Sequence, residues 1–379
     1  MAQSWLVFRL TDSPLALGLL SVSRFGPSLL GAPLAGVLAD RVSRRQIVLF
    51  TQSASLVIAS LLAALTLTGV IRVWQVMLLA FCQGVIDTLD MTARQTLQVD
   101  LVGIEDLQSA IALNSAAFNV GRMTGPALAG VLVAAWDEGI CFALNAVSYL
   151  AVLAALLQIR IPPQISRHGR PWRQEMLEGV RFAWSNRLIR ATLLSVGVTS
   201  CAGLAYAPLL PVFSGKVIGA GARGYGLLLG GTGLGAILGA LAAAGRTDNR
   251  GARRIMAAGQ LGLGIGLVAL GLNRQLLPAA GIMVLVGLAV AVQLATTNAL
   301  LQTTAPPELR GRVVSLYIWI FAGLSPIGGL LAGSLAEQAG APFTAICCGA
   351  ACLVAPVLTG LSGRSPEPGP SEAAAGASP

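Results

Sequence analysis

Charged side chains are scarce in this chain: Asp, Glu, Lys and Arg together make up 11% of its 379 residues. A soluble domain typically carries about 25% charged residues. Hydrophobic residues account for 55% of the chain and the mean hydropathy is +0.75, so too few polar groups remain to cover a water-facing surface. The composition excludes an ordinary soluble enzyme and predicts an all-α polytopic membrane protein.

Residues that commonly form catalytic, metal-binding or phosphate-binding sites are also few. His168 is the single histidine, which excludes a metal site or a catalytic triad built on histidine. The six cysteines lie in apolar runs, which favours packing over disulfides or metal ligation. The sequence holds no GxxxxGK[ST] phosphate-binding loop. We therefore expect no catalytic residue, no metal and no cofactor.

Apolar runs long enough to cross a bilayer recur along the whole chain. They predict a short segment at Ala2–Leu10 and full spans at 15–38, 46–69, 73–92, 108–135, 139–159, 188–213, 224–245, 255–272, 276–299, 312–335 and 342–361. The spans divide the chain into an N-terminal bundle (1–160), a linker (161–187), a C-terminal bundle (188–361) and a tail (362–379). The tail is rich in Pro, Gly, Ser and Ala and is predicted to be disordered.

The linker has a pattern of its own. Trp172, Met176, Val180 and Trp184 recur every four residues, with Arg and Glu between them. This spacing predicts a helix with one aromatic stripe lying at the membrane surface. A helical linker packed against protein fits the same spacing equally well.

The basic residues are distributed unevenly between alternate loops. Eighteen of the 25 Lys and Arg residues fall in one set of loops, counted together with the tail, and four in the other set. The positive-inside rule places the richer set in the cytoplasm. We therefore expect a protein of the plasma membrane (the bacterial inner membrane) with its linker and C-terminus in the cytoplasm. The net charge of +9 then reflects topology, and the expected partners are lipid and a small-molecule substrate, with no nucleic acid, for a monomeric chain.

The chain also repeats itself. Gly18-Leu19-Leu20 recurs as Gly226-Leu227-Leu228, and Gly31-Ala32 as Gly239-Ala240, both at an offset of 208. Matches in preserved order predict two halves of six helices each. At this offset Met1 corresponds to Leu209, which leaves 188–208 without a counterpart. We therefore expect the first helix to be incomplete, through a misplaced start or because the sequence is a fragment.

The loop after the first full span carries a recognisable motif. It reads Gly36-Val-Leu-Ala-Asp40-Arg41-Val-Ser43-Arg44-Arg45 and resembles motif A of the major facilitator superfamily, G-x-x-x-D-R-x-G-R-R/K, with Ser43 in place of the usual glycine. Gly36 permits close helix approach. Asp40 can pair with arginine or cap a helix of the other half and so hold one conformation. A simple positive-inside loop would explain Arg41, Arg44 and Arg45 but not Gly36 and Asp40.

A second motif lies in the span at 108–135. Gly121, Gly125, Pro126 and Gly130 fit G-x-x-x-G-P-x-x-x-G, which resembles motif C, the antiporter motif of the same superfamily. The three glycines predict close helix packing and Pro126 predicts a kink. A seam of small residues is the alternative reading and is compatible with the same mechanism.

Taken together, the chain resembles the branch of this superfamily that contains the enterobactin exporter and macrolide-efflux proteins. The resemblance also rests on the segments at 5–18 and 33–41, Ala93-Arg94-Gln95, Ala110-Ile-Ala-Leu-Asn114-Ser and Tyr225-Gly226-Leu-Leu-Leu. It implies two six-helix bundles, alternating access and proton-coupled export of amphipathic drugs or siderophores. An uptake carrier for a small metabolite and a transport-inactive fragment or membrane scaffold remain alternatives.

Charged residues within the spans are the candidate pathway residues, because a charge at membrane depth is costly unless it is paired or faces water. Asp87, Asp90 and Arg94 share one helix face. We expect Asp90 and Arg94 to form a structural ion pair, and Asp87 to take up and release a proton with Arg24 or Arg122 as its partner. Other polar side chains could line the cavity or join helices: Gln83, Asn114, Asn119, Asn145, Gln293 and Asn298.

Overall fold

The computed structural model describes residues 1–41, 43–102, 107–158, 180–243, 249–306 and 309–358, which are helical almost throughout and contain no strand. The first six helices are α1 (Ala2–Thr11), α2 (Pro14–Arg41), α3 (Arg44–Leu67), α4 (Val73–Val102), α5 (Leu107–Ala135) and α6 (Glu138–Gln158). A helical stretch at 180–185 precedes the remainder. These are α7 (Arg187–Val217), α8 (Gly221–Ala242), α9 (Asn249–Leu272), α10 (Leu276–Thr304), α11 (Arg310–Ala339) and α12 (Ala341–Leu358).

Helix α4 runs ten residues past its predicted end: the apolar run ends at 92, whereas the helix ends at Val102. An apolar run marks the part of a helix that lies in hydrocarbon, but the hydrogen-bonded backbone continues into the interfacial layer. Hydropathy therefore locates a span without fixing where its helix ends.

Several helices are long and apolar enough to cross a bilayer. Among the described residues there are seven such spans, within α3 and α6 to α11, and they make the protein an integral membrane protein. Helix α1 has ten residues, which at about 1.5 Å per residue cover roughly half of a bilayer core. The predicted stripe of the linker lies mostly outside the described residues, which include its members Val180 and Trp184, 36% and 63% exposed.

Helix α7 is the least regular of the helices. Asn186 caps its N-terminus, because the Asn186 side-chain oxygen accepts hydrogen bonds from the backbone N–H groups of Leu188 and Ile189. A π-helical segment, Thr199–Gly203, and the turn after it interrupt the helix, and a second π-helical segment, Phe213–Val217, ends it. Insertions of this kind widen a helix locally and are frequent where a helix has a functional task.

The helices pack as two groups. In the first six, α2 contacts α4 and α3 contacts both α4 and α6; in the last six, α8 contacts α10 and α9 contacts both α10 and α12. A shift of six helices therefore converts one set of pairings into the other. Helices α2 and α11 join the two groups on one side, and α5 and α8 join them on the other.

Glycines allow the helices to approach closely at both of these contacts between the groups. A Cβ on Gly130 of α5 would lie 2.7 Å from the Cα of Gly226 in α8, and a Cβ on Gly18 of α2 would lie 2.8 Å from the carbonyl oxygen of Gly329 in α11. Both contacts lie toward one end of the bundle, which holds the turns at 12–13, 136–137, 218–220 and 340. We call it the arginine-poor end, and the opposite end, with Arg45 and Arg94, the arginine-rich end.

The C-terminal group has an uncharged polar core. Gln293 of α10 donates a hydrogen bond to Thr199 Oγ1 of α7 at 2.7 Å, and Ser195 Oγ of α7 donates to Gln260 Oε1 of α9 at 2.5 Å. All four side chains are fully buried. In a membrane such bonds hold helices together, because an unpaired polar group has no water to bind. From the sequence, Gln293 could either line the cavity or join helices, and the structure shows that it joins helices.

Replacing Gln293 with alanine is expected to destabilise the protein by about 1 kcal/mol, the usual contribution of a hydrogen bond between membrane helices. The measurement is denaturant unfolding of the purified protein in detergent micelles. Gln302→Ala is the control, because Gln302 is exposed and, among the described residues, donates to Asn298 on its own helix. An equal loss of stability in both variants would contradict the assignment.

Candidate functional site

An ion pair joins α2 to α4 in the middle of the N-terminal group. Arg24 Nη2 lies 2.7 Å from Asp87 Oδ2. The two helices come this close because Gly84, one turn before Asp87, has no side chain: a Cβ there would collide with the carbonyl oxygen of Arg24. The sequence offered Arg24 or Arg122 as the partner of Asp87, and the structure pairs Asp87 with Arg24.

The second carboxylate oxygen of Asp87 also has a partner. Gln83 Nε2 donates to Asp87 Oδ1 at 2.8 Å and approaches Ser55 Oγ of α3 at 2.9 Å. Gln83 is 6% exposed, so it is fixed between the two helices. The site thus combines residues of α2, α3 and α4 around one carboxylate.

The ion pair is only partly enclosed by protein. The side chain of Asp87 is 48% exposed and that of Arg24 is 30% exposed. Burying an ionised pair in hydrocarbon is costly, whereas contact with a water-filled space at the same depth lowers that cost. An ion pair at membrane depth is therefore most stable where its exposed part faces water.

Asp90, one turn further along α4, has a different environment. Its carboxylate accepts hydrogen bonds from Thr51 Oγ1 at 2.6 Å, Gln52 Nε2 at 2.9 Å and Arg94 Nε at 3.0 Å. The Asp90 side chain is 17% exposed. The i,i+4 pair with Arg94 expected from the sequence is present. With these three donors on it, Asp90 anchors α3 to α4.

The motif A arginine whose side chain is described, Arg45, binds its own half of the protein. Its Nη2 donates to the carbonyl oxygens of Leu156 and Leu157 at 3.2 and 3.4 Å. These carbonyls lie in the last turn of α6, where a cation is favourable. Several predicted site residues have side chains outside the described set, although their backbones are helical: Gly36, Asp40, Arg41, Arg44, Asn119 and Arg122.

Motif C is only partly a packing seam, which corrects the prediction that all three of its glycines pack closely. Gly130 contacts Gly226 directly, but a Cβ on Gly121 or Gly125 would meet no atom of the described residues within 4 Å. Gly121 and Gly125 lie closer to the arginine-rich end than Gly130, along the same helix. Gly125 lines the cavity of the N-terminal group, whereas Gly130 faces α8, so Gly130 is the motif C glycine that serves the contact between the halves.

A space of about 380 Å³ lies beside Arg24 where the chain begins, and Met1, Ala2 and Gln3 form part of its wall together with helices of the N-terminal group. The rest of its lining combines the Arg24 guanidinium with uncharged polar groups and apolar side chains. Among the lining residues are Arg24, Gln83, Pro126, Phe142, Asn145 and Tyr149. Asn114, also expected near the pathway, is exposed on α5.

Sequence reasoning did not single out the partners supplied by α3: Thr51, Gln52 and Ser55. Within helices rich in alanine and leucine, isolated hydroxyl and amide side chains carry no periodic signal. One signal was available, since Gln52 and Gln260 are separated by 208 residues, the offset of the internal repeat. Each is buried in the polar contact of its own group.

A second ion pair that sequence reasoning did not predict joins α1 to α6. Arg9 donates through Nε and Nη2 to the two carboxylate oxygens of Glu138, at 3.0 and 2.8 Å. The Glu138 side chain is 3% exposed. A bidentate pair of this kind fixes orientation as well as charge, so it holds α1 in place at the arginine-poor end.

Comparison with known proteins gives the family. The family model described as "Transmembrane secretion effector", a group of major facilitator transporters, matches residues 1–375. The multidrug efflux pump Tap of Mycolicibacterium fortuitum is 26% identical over 351 residues, covering 90% of this chain and 85% of that protein. The enterobactin exporter EntS of Shigella boydii is 26% identical over 333 residues, covering 86% of this chain and 78% of that one.

A solved structure has the same fold. The crystal structure of the nucleoside transporter NupG superposes with a TM-score of 0.72 at 12% identity, covering 96% of this chain and 94% of that one. At this identity the match speaks for the fold alone. Together with the family match, it confirms the resemblance based on motifs A and C. The chain belongs to the transmembrane secretion effector family of the major facilitator superfamily, whose members are transporters and not enzymes.

Proposed function

We propose that this protein is a proton-coupled exporter of amphipathic small molecules, either drugs or siderophores. It works by alternating access in the bacterial inner membrane, as a monomer with its arginine-rich end in the cytoplasm. The relatives named for drug efflux and for enterobactin export support the direction and the substrate class. The uneven distribution of Arg and Lys supports the orientation. The proton gradient takes the place of a cofactor.

The observation that carries the proposal is the half-exposed ion pair of Arg24 and Asp87. A proton on Asp87 removes the negative charge that holds Arg24, so the two side chains separate. Helix α2 carries Arg24 in its middle and contacts α11 of the other group through Gly18. Protonation of Asp87 therefore changes the contacts of α2, the helix that also contacts α11 of the other half. A mechanism that couples protonation to a change between two conformations requires such a link.

The proposal is tested with everted membrane vesicles that contain the overproduced protein. Ethidium, erythromycin and enterobactin are the probes, each with vesicles lacking the protein as control. We expect at least one probe to accumulate inside energised vesicles and to leave when an uncoupler is added. Accumulation that survives the uncoupler contradicts proton coupling. Gradient-driven loss of a probe from the vesicles indicates an uptake carrier, and absence of transport for every probe favours a scaffold.

A further inference from the structure

The short turn between α1 and α2 is bound from two sides by the C-terminal group. Lys216, in the last turn of α7, and Glu337, near the end of α11, both reach it. The turn consists of Asp12 and Ser13 and lies at the arginine-poor end. Neither contact was expected from the sequence, because the partners are 204 and 324 residues apart.

Glu337 completes the start of α2. Its Oε2 accepts hydrogen bonds from Ser13 Oγ at 2.7 Å and from the backbone N–H of Leu15 at 3.2 Å. The first N–H groups of a helix lack partners within the helix and favour an acidic side chain. Pro14 has no N–H, and Ser13 Oγ accepts from the N–H of Ala16 at 3.3 Å. A carboxylate from the other half therefore supplies the cap that Leu15 needs.

The second contact is an ion pair. Lys216 Nζ lies 2.9 Å from Asp12 Oδ2 and donates to the Asp12 carbonyl oxygen, also at 2.9 Å. Asp12 has a φ of 55°, in the left-handed region, so the turn exposes its carbonyl group to Lys216. Lys216 is the single lysine of the chain. An exposed ion pair contributes little by itself, but here it acts on the same turn as Glu337.

Both contacts require the two halves to touch. The glycine contact of Gly18 with Gly329 lies just below the turn, and a Cβ on Gly333 would lie 2.7 Å from the carbonyl oxygen of Pro14. When α2 and α11 separate at this end, Glu337 loses Leu15 and Ser13 in the same movement. The cap on α2 is therefore available in one arrangement of the halves only.

We propose that Asp12, Lys216 and Glu337 form a latch that closes the arginine-poor end and sets the balance between the two conformations of the transport cycle. They act as positioning residues, because they touch neither the ion pair of Arg24 and Asp87 nor the cavity. The inference rests on the proposed alternating access. It adds specific residues whose contacts must break and form again in every cycle.

The test is hydrogen–deuterium exchange of the purified protein in nanodiscs, which needs neither a substrate nor a gradient. In Glu337→Ala we expect residues 13–20 to exchange about fivefold faster, as for loss of a helix cap. Residues 107–120, at the arginine-rich end, should exchange more slowly, because opening one end closes the other. Faster exchange at both ends means general destabilisation and overturns the proposal, as does no change at either end.

Four further variants separate charge from packing. Glu337→Gln keeps an acceptor oxygen, so its exchange at 13–20 should lie between wild type and Glu337→Ala. Asp12→Lys and Lys216→Asp should each accelerate exchange at 13–20, and the double variant should recover part of the protection. No recovery in the double variant would remove Asp12 and Lys216 from the latch. Since exchange is measured without transport, failure of the latch and failure of the exporter assignment give separate results.

Discussion

Replacing Asp87 with asparagine is expected to abolish gradient-driven export, lowering the initial rate by about a hundredfold or more, the scale of a lost proton-transfer group. Asparagine keeps the shape of the side chain but neither binds a proton nor balances the charge of Arg24, which lies 2.7 Å away in the wild type. Counterflow exchange of substrate without a gradient should continue, because the halves still move. Comparing the two assays in everted vesicles separates loss of coupling from loss of transport.

Two matched variants sharpen this result. Asp87→Glu keeps the titratable group and should retain export at a reduced rate. Asp90→Asn alters the neighbouring carboxylate, which bonds Thr51, Gln52 and Arg94, and should lower stability while leaving the dependence on the gradient. Full gradient-driven export by Asp87→Asn would exclude Asp87 as the proton site.

The other large effect is expected from Gly130→Ala. A Cβ at this position would lie 2.7 Å from the Cα of Gly226, across the joint between α5 and α8. The atom opposite Gly130 belongs to the backbone of α8, which cannot move aside as a flexible side chain can. The added methyl group therefore holds the arginine-poor end open. We expect the transport rate to fall by about tenfold or more, as for other overpacked contacts. Export in vesicles measures the loss, and circular dichroism checks that the variant is helical.

Gly121→Ala is the matched control, because it belongs to the same motif and the same helix. Its Cβ would meet nothing within 4 Å, and alanine favours a helix more than glycine does. We expect export at the wild-type rate. Equal activity of Gly130→Ala and Gly121→Ala would show that the Gly130 contact is not needed for the cycle.

Much of the fold follows from the sequence because the bilayer fixes the length of an apolar run. Helices α5 and α6 begin within one residue of their predicted starts at 108 and 139. The pair of Asp90 and Arg94 is equally local, since side chains four residues apart meet on any helix. The family was predictable for the same kind of reason, because motifs A and C are short and contiguous.

What the sequence left open depends on how helices meet. The pairing of Asp87 with Arg24 requires α2 to lie against α4, which Gly84 permits. The cap that Glu337 provides for Leu15 links residues 322 positions apart, so no local sequence pattern predicts it. The difference between Gly121 and Gly130 depends on which helix each glycine faces, and the residue type, which is the same at both positions, gives no sign of it.

The central claim is that proton movement through Asp87 is coupled to substrate movement, and proteoliposomes test it most directly. Purified protein is reconstituted with ethidium, or another probe transported in vesicles, and the internal pH dye pyranine. Dilution into substrate-free buffer lets the probe leave down its gradient. We predict acidification of the interior with wild type and none with Asp87→Asn, although the probe still leaves. Probe exit without a pH change in wild type, or equal acidification in both proteins, would contradict the account.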